Sequence, residues 1–167
     1  MSFSPIPKYS FTALTDISPD FLSELGIKFL MLDLDNTIAT YDEKIPTGAI
    51  ADWILSIREV GIEMYIVSNS LRKKRVGAFS EALDIKAILN AHKPSPNGVY
   101  AAMAETGHLP DQSALIGDQI FTDVLAANRA KVISIIVKPK KLSNPILALR
   151  YLIELPFRSR CKNRSLK

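Results

Sequence analysis

Two carboxylates one residue apart, Asp33 and Asp35, close the apolar run Phe29-Leu30-Met31-Leu32. Three other apolar runs close in the same way. Ile62-Glu63-Met64-Tyr65-Ile66-Val67 leads into Ser68-Asn69, Ala87-Ile88-Leu89 leads to Lys93, and Ala114-Leu115-Ile116 leads to Gly117-Asp118 with Asp123 beyond. If the four ends meet, they bring together a carboxylate pair, a hydroxyl with an amide, an ammonium and a second acidic pair. Three or four carboxylates cannot share a small site ionised without a cation. Oxygen ligands with no Cys or His cluster favour a hard ion, Mg²⁺ before Ca²⁺. Asp33 would keep one oxygen free to attack phosphorus, since a carboxylate nucleophile giving an acyl-phosphate is established chemistry. Asp35 would protonate the leaving oxygen and then deprotonate water. Ser68 and Asn69 would donate to phosphoryl oxygens, and Lys93 would neutralise the transferring group and restrain Asp33. The reaction class is phosphoryl transfer, where positioning and electrostatics do most of the catalysis.

The Asp-x-Asp pair alone is weak. With 10 Asp in 167 residues, chance supplies about 0.6 such pairs. The positioning elements make the case. Continuous apolar runs read as strands buried on both faces of a parallel sheet. In such a sheet, ligands bind beyond the carboxyl ends of the strands. The spacing predicts strands at about 28–33, 62–67, 87–89, 114–116 and 132–137. Helices fall between them, at about 46–60, 71–83, 95–107 and 122–130. Ile50, Trp53, Ile54 and Ile57 form one apolar face of the first of these. The expected fold is α/β, a Rossmann-like, doubly wound parallel sheet of about five strands with helices on both faces. Residues 1–27 read as a lead-in, with Ser18 capping a short helix that Gly26 ends. Residues 28–139 form the core, and 140–167 a C-terminal helix and basic tail.

Length and composition fit one globular domain with a real core, spanning 1–167. No run of about 18 uncharged apolar residues occurs, so no transmembrane helix is expected. The first twenty residues lack the pattern of a secretory signal. The expected location is cytoplasmic, with peripheral contact at a membrane or an organelle membrane. Cys161 reads as incidental in a polar tail, and two histidines with one cysteine cannot build a structural zinc site. The net charge of +4 is uneven: residues 138–167 hold nine basic side chains and one acid, whereas residues 1–137 hold 12 basic and 16 acidic. A basic tail on an acidic body points to an anionic partner surface.

With these residues in hand, the chain resembles the haloacid dehalogenase superfamily of phosphohydrolases. Asp33-Leu34-Asp35-Asn36-Thr37, Ser68-Asn69, Lys93-Pro94 and Gly117-Asp118-Gln119-Ile120-Phe121-Thr122-Asp123 match its four motifs in order. The resemblance implies Asp33 as nucleophile and Asp35 as general acid/base. It also implies Mg²⁺ held by the Asp33 and Asp118 carboxylates and the Asp35 backbone carbonyl, with Asp123 assisting directly or through water. Asn36 stands where many members carry Gly. The 33 residues from Asp35 to Ser68 and the 25 from Ser68 to Lys93 leave no room for a cap domain. The wording most resembles the capless subfamily IIIA phosphatases of the YqeG group, related to phosphatidylglycerophosphate phosphatases. That implies hydrolysis of phosphatidylglycerophosphate to phosphatidylglycerol, a phospholipid head group as substrate, and an anionic membrane met by the basic tail. Each Lys or Arg near such a surface contributes about 1 kcal/mol.

Other readings stay open. The substrate could be a small soluble phosphate or a phosphoprotein, or the chain a non-catalytic RNA- or protein-binding module. No aromatic-rich RNA-binding motif accompanies the tail, so no nucleic acid is expected. Lys73 and Lys74 read as a solvated helix face, while Arg72 or Arg75 could contact a phosphodiester. His92 reads as a loop histidine or a catalytic one, His108 as helix-exit surface, and Trp53 as core. The 145–155 helix is apolar nearly all round, and packing on the sheet competes with membrane contact. Oligomeric state is not legible.

Overall fold

The computed structural model describes residues 4–161 and the backbone of 163–164. In chain order the elements are β1 (Tyr9–Ser10), α1 (Pro19–Glu24), β2 (Phe29–Leu32), α2 (Gly48–Glu59), β3 (Glu63–Val67), α3 (Lys73–Leu83) and β4 (Lys86–Ile88). There follow α4 (Asn97–Thr106), β5 (Ser113–Gly117), a π-helical turn (Ile120–Val124), α5 (Leu125–Ala130), β6 (Ile133–Ile136), α6 (Pro145–Ser159) and β7 (Asn163–Arg164). All pairings are parallel, and the strand order is β4-β3-β2-β5-β6-β1-β7. The five expected strands form the body of the sheet. Two short strands extend it: β1, in the segment read as a lead-in, and β7, in the tail.

Alternation along the strands divides the core. Leu30, Leu32, Met64, Ile66, Ala114 and Ile116 face α1, α2 and α3, where Leu22, Ile54, Ile57, Val76 and Phe79 bury. Phe29, Met31, Tyr65, Val67 and Leu115 face α4 and α5, packing on Val99, Ala102, Ala126 and Ala127. Both faces of β2 are therefore dry, which is why its sequence is apolar without a break. All four expected apolar residues of α2 are buried, and Trp53 Nε1 donates to the Ile17 carbonyl at 2.7 Å. Ser18 caps α1 by accepting from the Phe21 amide at 3.2 Å.

Only α2 and β3 lie between Asp35 and Ser68, and only α3 and β4 between Ser68 and Lys93. There is no cap. Three expectations need correction. The helix expected from Thr122 begins as the π-helical turn and becomes α-helical only at Leu125. Cys161 is buried rather than stranded in a polar tail, with Sγ 3.5 Å from the Lys8 carbonyl. The last helix runs on to Ser159 and is not apolar all round, because Glu154 and Arg158 are buried in it. Among the described residues no helix is long and apolar enough to cross a membrane.

Candidate active site

Asp33 is the first residue past β2, and Asp118 the first past β5. These strands are neighbours, with Leu32 opposite Ile116. The chain leaves β2 toward β3 but leaves β5 toward β6, in opposite directions across the sheet. Such a switch point opens a crevice at the strand ends. β3 delivers Ser68 to the same edge, and the loop after β4 delivers Lys93. The four separate strand-end clusters thus meet at one place.

Lys93 is the hub. Its Nζ lies 2.6 Å from Asp33 Oδ1 and 2.7 Å from Asp123 Oδ1, and it donates to the Val67 carbonyl at 2.7 Å. Thr37 Oγ1 donates to the other Asp33 oxygen at 3.4 Å. Asp33, Asp118 and Asp123 are all buried and each offers an oxygen within 4.8 Å of the others. Burial pushes the Asp33 carboxyl up to about 7; Lys93 opposes this, while Asp123 and Asp35 add to it. Burial, with Asp33 and Asp123 beside it, also holds Asp118 well above the ordinary carboxylate value. Burial alone would lower the Lys93 ammonium, but Asp123 and Asp33 outweigh it and raise its pKa.

One ammonium cannot balance three carboxylates in a dry pocket. Asp118 Oδ1 is buried without a hydrogen-bond partner among the described residues. A cluster of hard oxygens, short of positive charge and with an oxygen unspent, fits a hard divalent cation. Gly117 allows this closeness. A Cβ there would lie 2.2 Å from Asp123 Cγ, so any side chain would drive Asp123 out.

The sequence-predicted residues Asp33, Asp35, Ser68, Asn69, Lys93 and Asp123 all line one cleft of about 480 Å³. Asp118 stands beside them, with an oxygen within 4.8 Å of Asp33 and Asp123. The Ser68 hydroxyl accepts from the Ser70 amide at 3.1 Å, leaving its own proton to donate. Asn69 has a further role. Its amide donates to the Lys93 carbonyl and accepts from the Lys93 N–H, each at 2.8 Å, so it fixes the Lys93 loop. Asn36 adopts φ of 65°, a left-handed conformation open to Gly and tolerated by Asn, which explains how it can replace Gly in this turn.

Other functional contacts were not resolved by sequence. Arg75 pairs with Asp35 Oδ1 at 3.2 Å and donates to the Thr40 and Glu43 carbonyls. Arg72 lines the cleft, as do Tyr41 and Arg150. Arg158 donates to the carbonyls of Asp118 and Val137, and pairs with Glu154 at 3.1 Å. Glu154 in turn accepts from the Ile120 amide at 3.0 Å. The i, i+4 spacing of Glu154 and Arg158 was a visible sign of pairing, but not of burial. His92 is exposed and outside the cleft lining. His108 stacks on Phe29 and meets Glu63 at 3.0 Å.

Comparison with known proteins agrees with this geometry. Residues 3–140 match the protein family described as mitochondrial PGP phosphatase. The Bacillus subtilis (strain 168) protein named "Probable phosphatase YqeG" is 37% identical over 123 residues, 74% of this chain and 71% of that protein. Among solved structures, the cobalt-bound deoxy-D-mannose-octulosonate 8-phosphate phosphatase of Haemophilus influenzae superposes with a TM-score of 0.55 at 16% identity, covering 82% of this chain and 92% of that one. The Moraxella catarrhalis 3-deoxy-D-manno-octulosonate 8-phosphate phosphatase, with magnesium, phosphate and KDO bound, gives 0.53 at 14% identity, covering 85% and 94%. These two show the shared fold. The chain is a phosphatase, and it belongs to the family described as mitochondrial PGP phosphatase.

Proposed function

We propose that this phosphatase hydrolyses the phosphomonoester of phosphatidylglycerophosphate, releasing phosphatidylglycerol and inorganic phosphate. The carrying observation is the Lys93 hub, which holds Asp33 in a cleft open to solvent that no cap covers among the described residues. An uncapped site suits a phosphate presented by a surface, because the surface can take over the exclusion of water that a lid performs elsewhere.

Asp33 is the nucleophile in this reading. Its carboxylate oxygen bonds to phosphorus as the phosphorus–alkoxide bond breaks, and Asp35 gives its proton to the departing oxygen. Asp35 then takes a proton from water, which attacks the acyl-phosphate. The bond between phosphorus and Asp33 breaks, and phosphate leaves. Lys93 and Ser68 face the transferring group, while Asn69 keeps Lys93 in place. Asp33, Asp118, Asp123 and the Asp35 backbone carbonyl would hold Mg²⁺, which supplies charge neutralisation for the phosphoryl group. The enzyme works in the cytoplasm or an organelle, peripheral to an anionic membrane that the basic 138–167 segment meets.

The competing substrate class is a small soluble phosphate ester, the kind named for the octulosonate phosphatases that share the fold. A panel of phosphates with Mg²⁺ separates the two. The lipid reading expects phosphatidylglycerophosphate to be the best substrate, and loss of its turnover in Asp33→Asn. Preference for a soluble ester would overturn the substrate claim, and wild-type activity in Asp33→Asn would overturn the nucleophile.

A further inference from the structure

Helix α6 inverts the usual pattern of a surface helix. Its charged pair, Glu154 and Arg158, faces inward and clamps the active-site backbone. Its large apolar residues face outward: Ile146 is 75% exposed, Leu149 60%, Leu152 60% and Ile153 54%. Among the described residues nothing covers this stripe. An isolated exposed Leu needs no explanation, but a contiguous apolar face on one helix marks an interaction surface.

Charge identifies the occupant. The stripe lies within the segment that holds nine basic side chains and one acid, and that acid, Glu154, is buried. Exposed Lys138 and Arg160 flank the helix, together with Lys140 and Lys141, which pair with Glu43 and Asp42 at 3.1 Å each. Pairing two copies of α6 would bring two strongly positive segments together, which opposes a dimer through this face. An apolar stripe set among cations suits an interface with acyl chains below anionic head groups. The same helix also places Arg150 in the wall of the catalytic cleft.

We infer that the outward face of α6, carried by Ile146, Leu149, Leu152 and Ile153, docks into the surface of an anionic lipid bilayer and sets the cleft mouth at head-group level. This rests on the proposed lipid substrate and adds the element that engages the membrane: a folded helix rather than the tail alone.

The test uses the full chain and co-sedimentation with vesicles of phosphatidylcholine, with and without phosphatidylglycerol. Wild type binds the mixed vesicles and binds pure phosphatidylcholine far less. Combining Leu149→Ser with Ile153→Ser weakens binding at least about tenfold, because affinity scales with the apolar area inserted. Turnover of p-nitrophenyl phosphate and the thermal midpoint stay at wild-type values, since both positions are exposed. Equal binding by the double variant overturns the inference, as does equal binding to both vesicle types. So does a wild-type dimer in sedimentation that the double variant converts to monomer, which would make the stripe a self-interface. Hydrolysis of phosphatidylglycerophosphate in detergent micelles is read separately. Micellar turnover without stripe-dependent binding ends the docking idea alone, and stripe-dependent binding without lipid turnover ends the substrate reading alone.

Discussion

The Arg75 guanidinium reaches Asp35 from α3, with Nε and Nη2 both 3.2 Å from the same oxygen, Oδ1. It also donates to the Thr40 carbonyl at 2.7 Å and stacks over the Phe79 ring at 5.0 Å. The planar fork holds the carboxylate and the loop behind it in one geometry, which an ammonium cannot copy. In the proposed mechanism Arg75 acts through Asp35, as a positioning residue. Arg75→Ala should lower kcat about tenfold to a hundredfold, a share of what general acid–base catalysis supplies, with KM little changed. Arg75→Lys should recover only part. A rise in KM with kcat intact would mean that Arg75 binds substrate instead.

Lys93 neutralises two buried carboxylates at once. Lys93→Met leaves Asp33 and Asp123 uncompensated, and breaking a buried pair in this way costs about 3–5 kcal/mol. Adding Asp33→Asn should restore part of that loss, so the double-mutant cycle should show coupling in urea melts. Turnover should fall by at least about a hundredfold, as expected when a charge-stabilising group is removed. Strictly additive stabilities would contradict the hub.

The site was legible because buried parallel strands must be apolar throughout. The first polar residue after each run therefore marks the strand end, and all strand ends share an edge. Asp33, Ser68 and Asp118 follow from that rule. Arg75 was harder to assign, because it stands in a run of four basic residues, Arg72 to Arg75. The buried stripe of Val76, Phe79 and Leu83 does not single it out, because Arg72 falls on the same face at helical spacing. β1 escaped notice because two residues carry no periodicity. The burial of Glu154 and Arg158 escaped because an i, i+4 pair looks the same whether wet or dry.

In the proposed mechanism proton and cation compete at Asp33. Its carboxyl is raised to about 7 in the folded protein without metal, against 3.8 ordinarily. Between these values the folded chain binds more protons than the unfolded chain, so metal-free stability falls as pH rises through that window. A divalent ion needs the ionised form. The gain in thermal midpoint on adding Mg²⁺ should therefore be small near about pH 5 and grow toward about pH 8. Scanning calorimetry with Mg²⁺ or EDTA reads it, and a pH-independent gain would show that protons and metal do not share Asp33.

Gly117→Ala tests the cradle. The added Cβ would meet Asp123 at its Cβ, Cγ and Oδ2, all within 2.4 Å. Gly117 lies at the end of a central strand, so the strand cannot shift and Asp123 must move. Asp123 would then leave Lys93 and the acidic cluster. Mg²⁺ affinity should drop by about tenfold to a hundredfold, the scale seen when groups around a metal are disturbed, with a larger effect on metal dependence than on stability. Unchanged Mg²⁺ titration curves would show that Asp123 plays no part in holding the ion.

The Arg158 clamp makes the C-terminal helix part of the active site. Arg158 binds the Asp118 and Val137 carbonyls while Glu154 takes the Ile120 amide, so the start of the turn that carries Asp118 and Asp123 is tied to α6 and to the end of β6. Arg158→Ala strands Glu154 in a buried setting. The cost should be about 3–5 kcal/mol, whereas Arg158→Ala with Glu154→Gln should be milder because no unpaired charge remains. Deleting the last 25 or so residues would remove the clamp along with the basic tail. Such a truncation should abolish activity on soluble esters as well as on vesicles. A truncated enzyme that kept full activity on p-nitrophenyl phosphate would show that the turn holds its shape without α6.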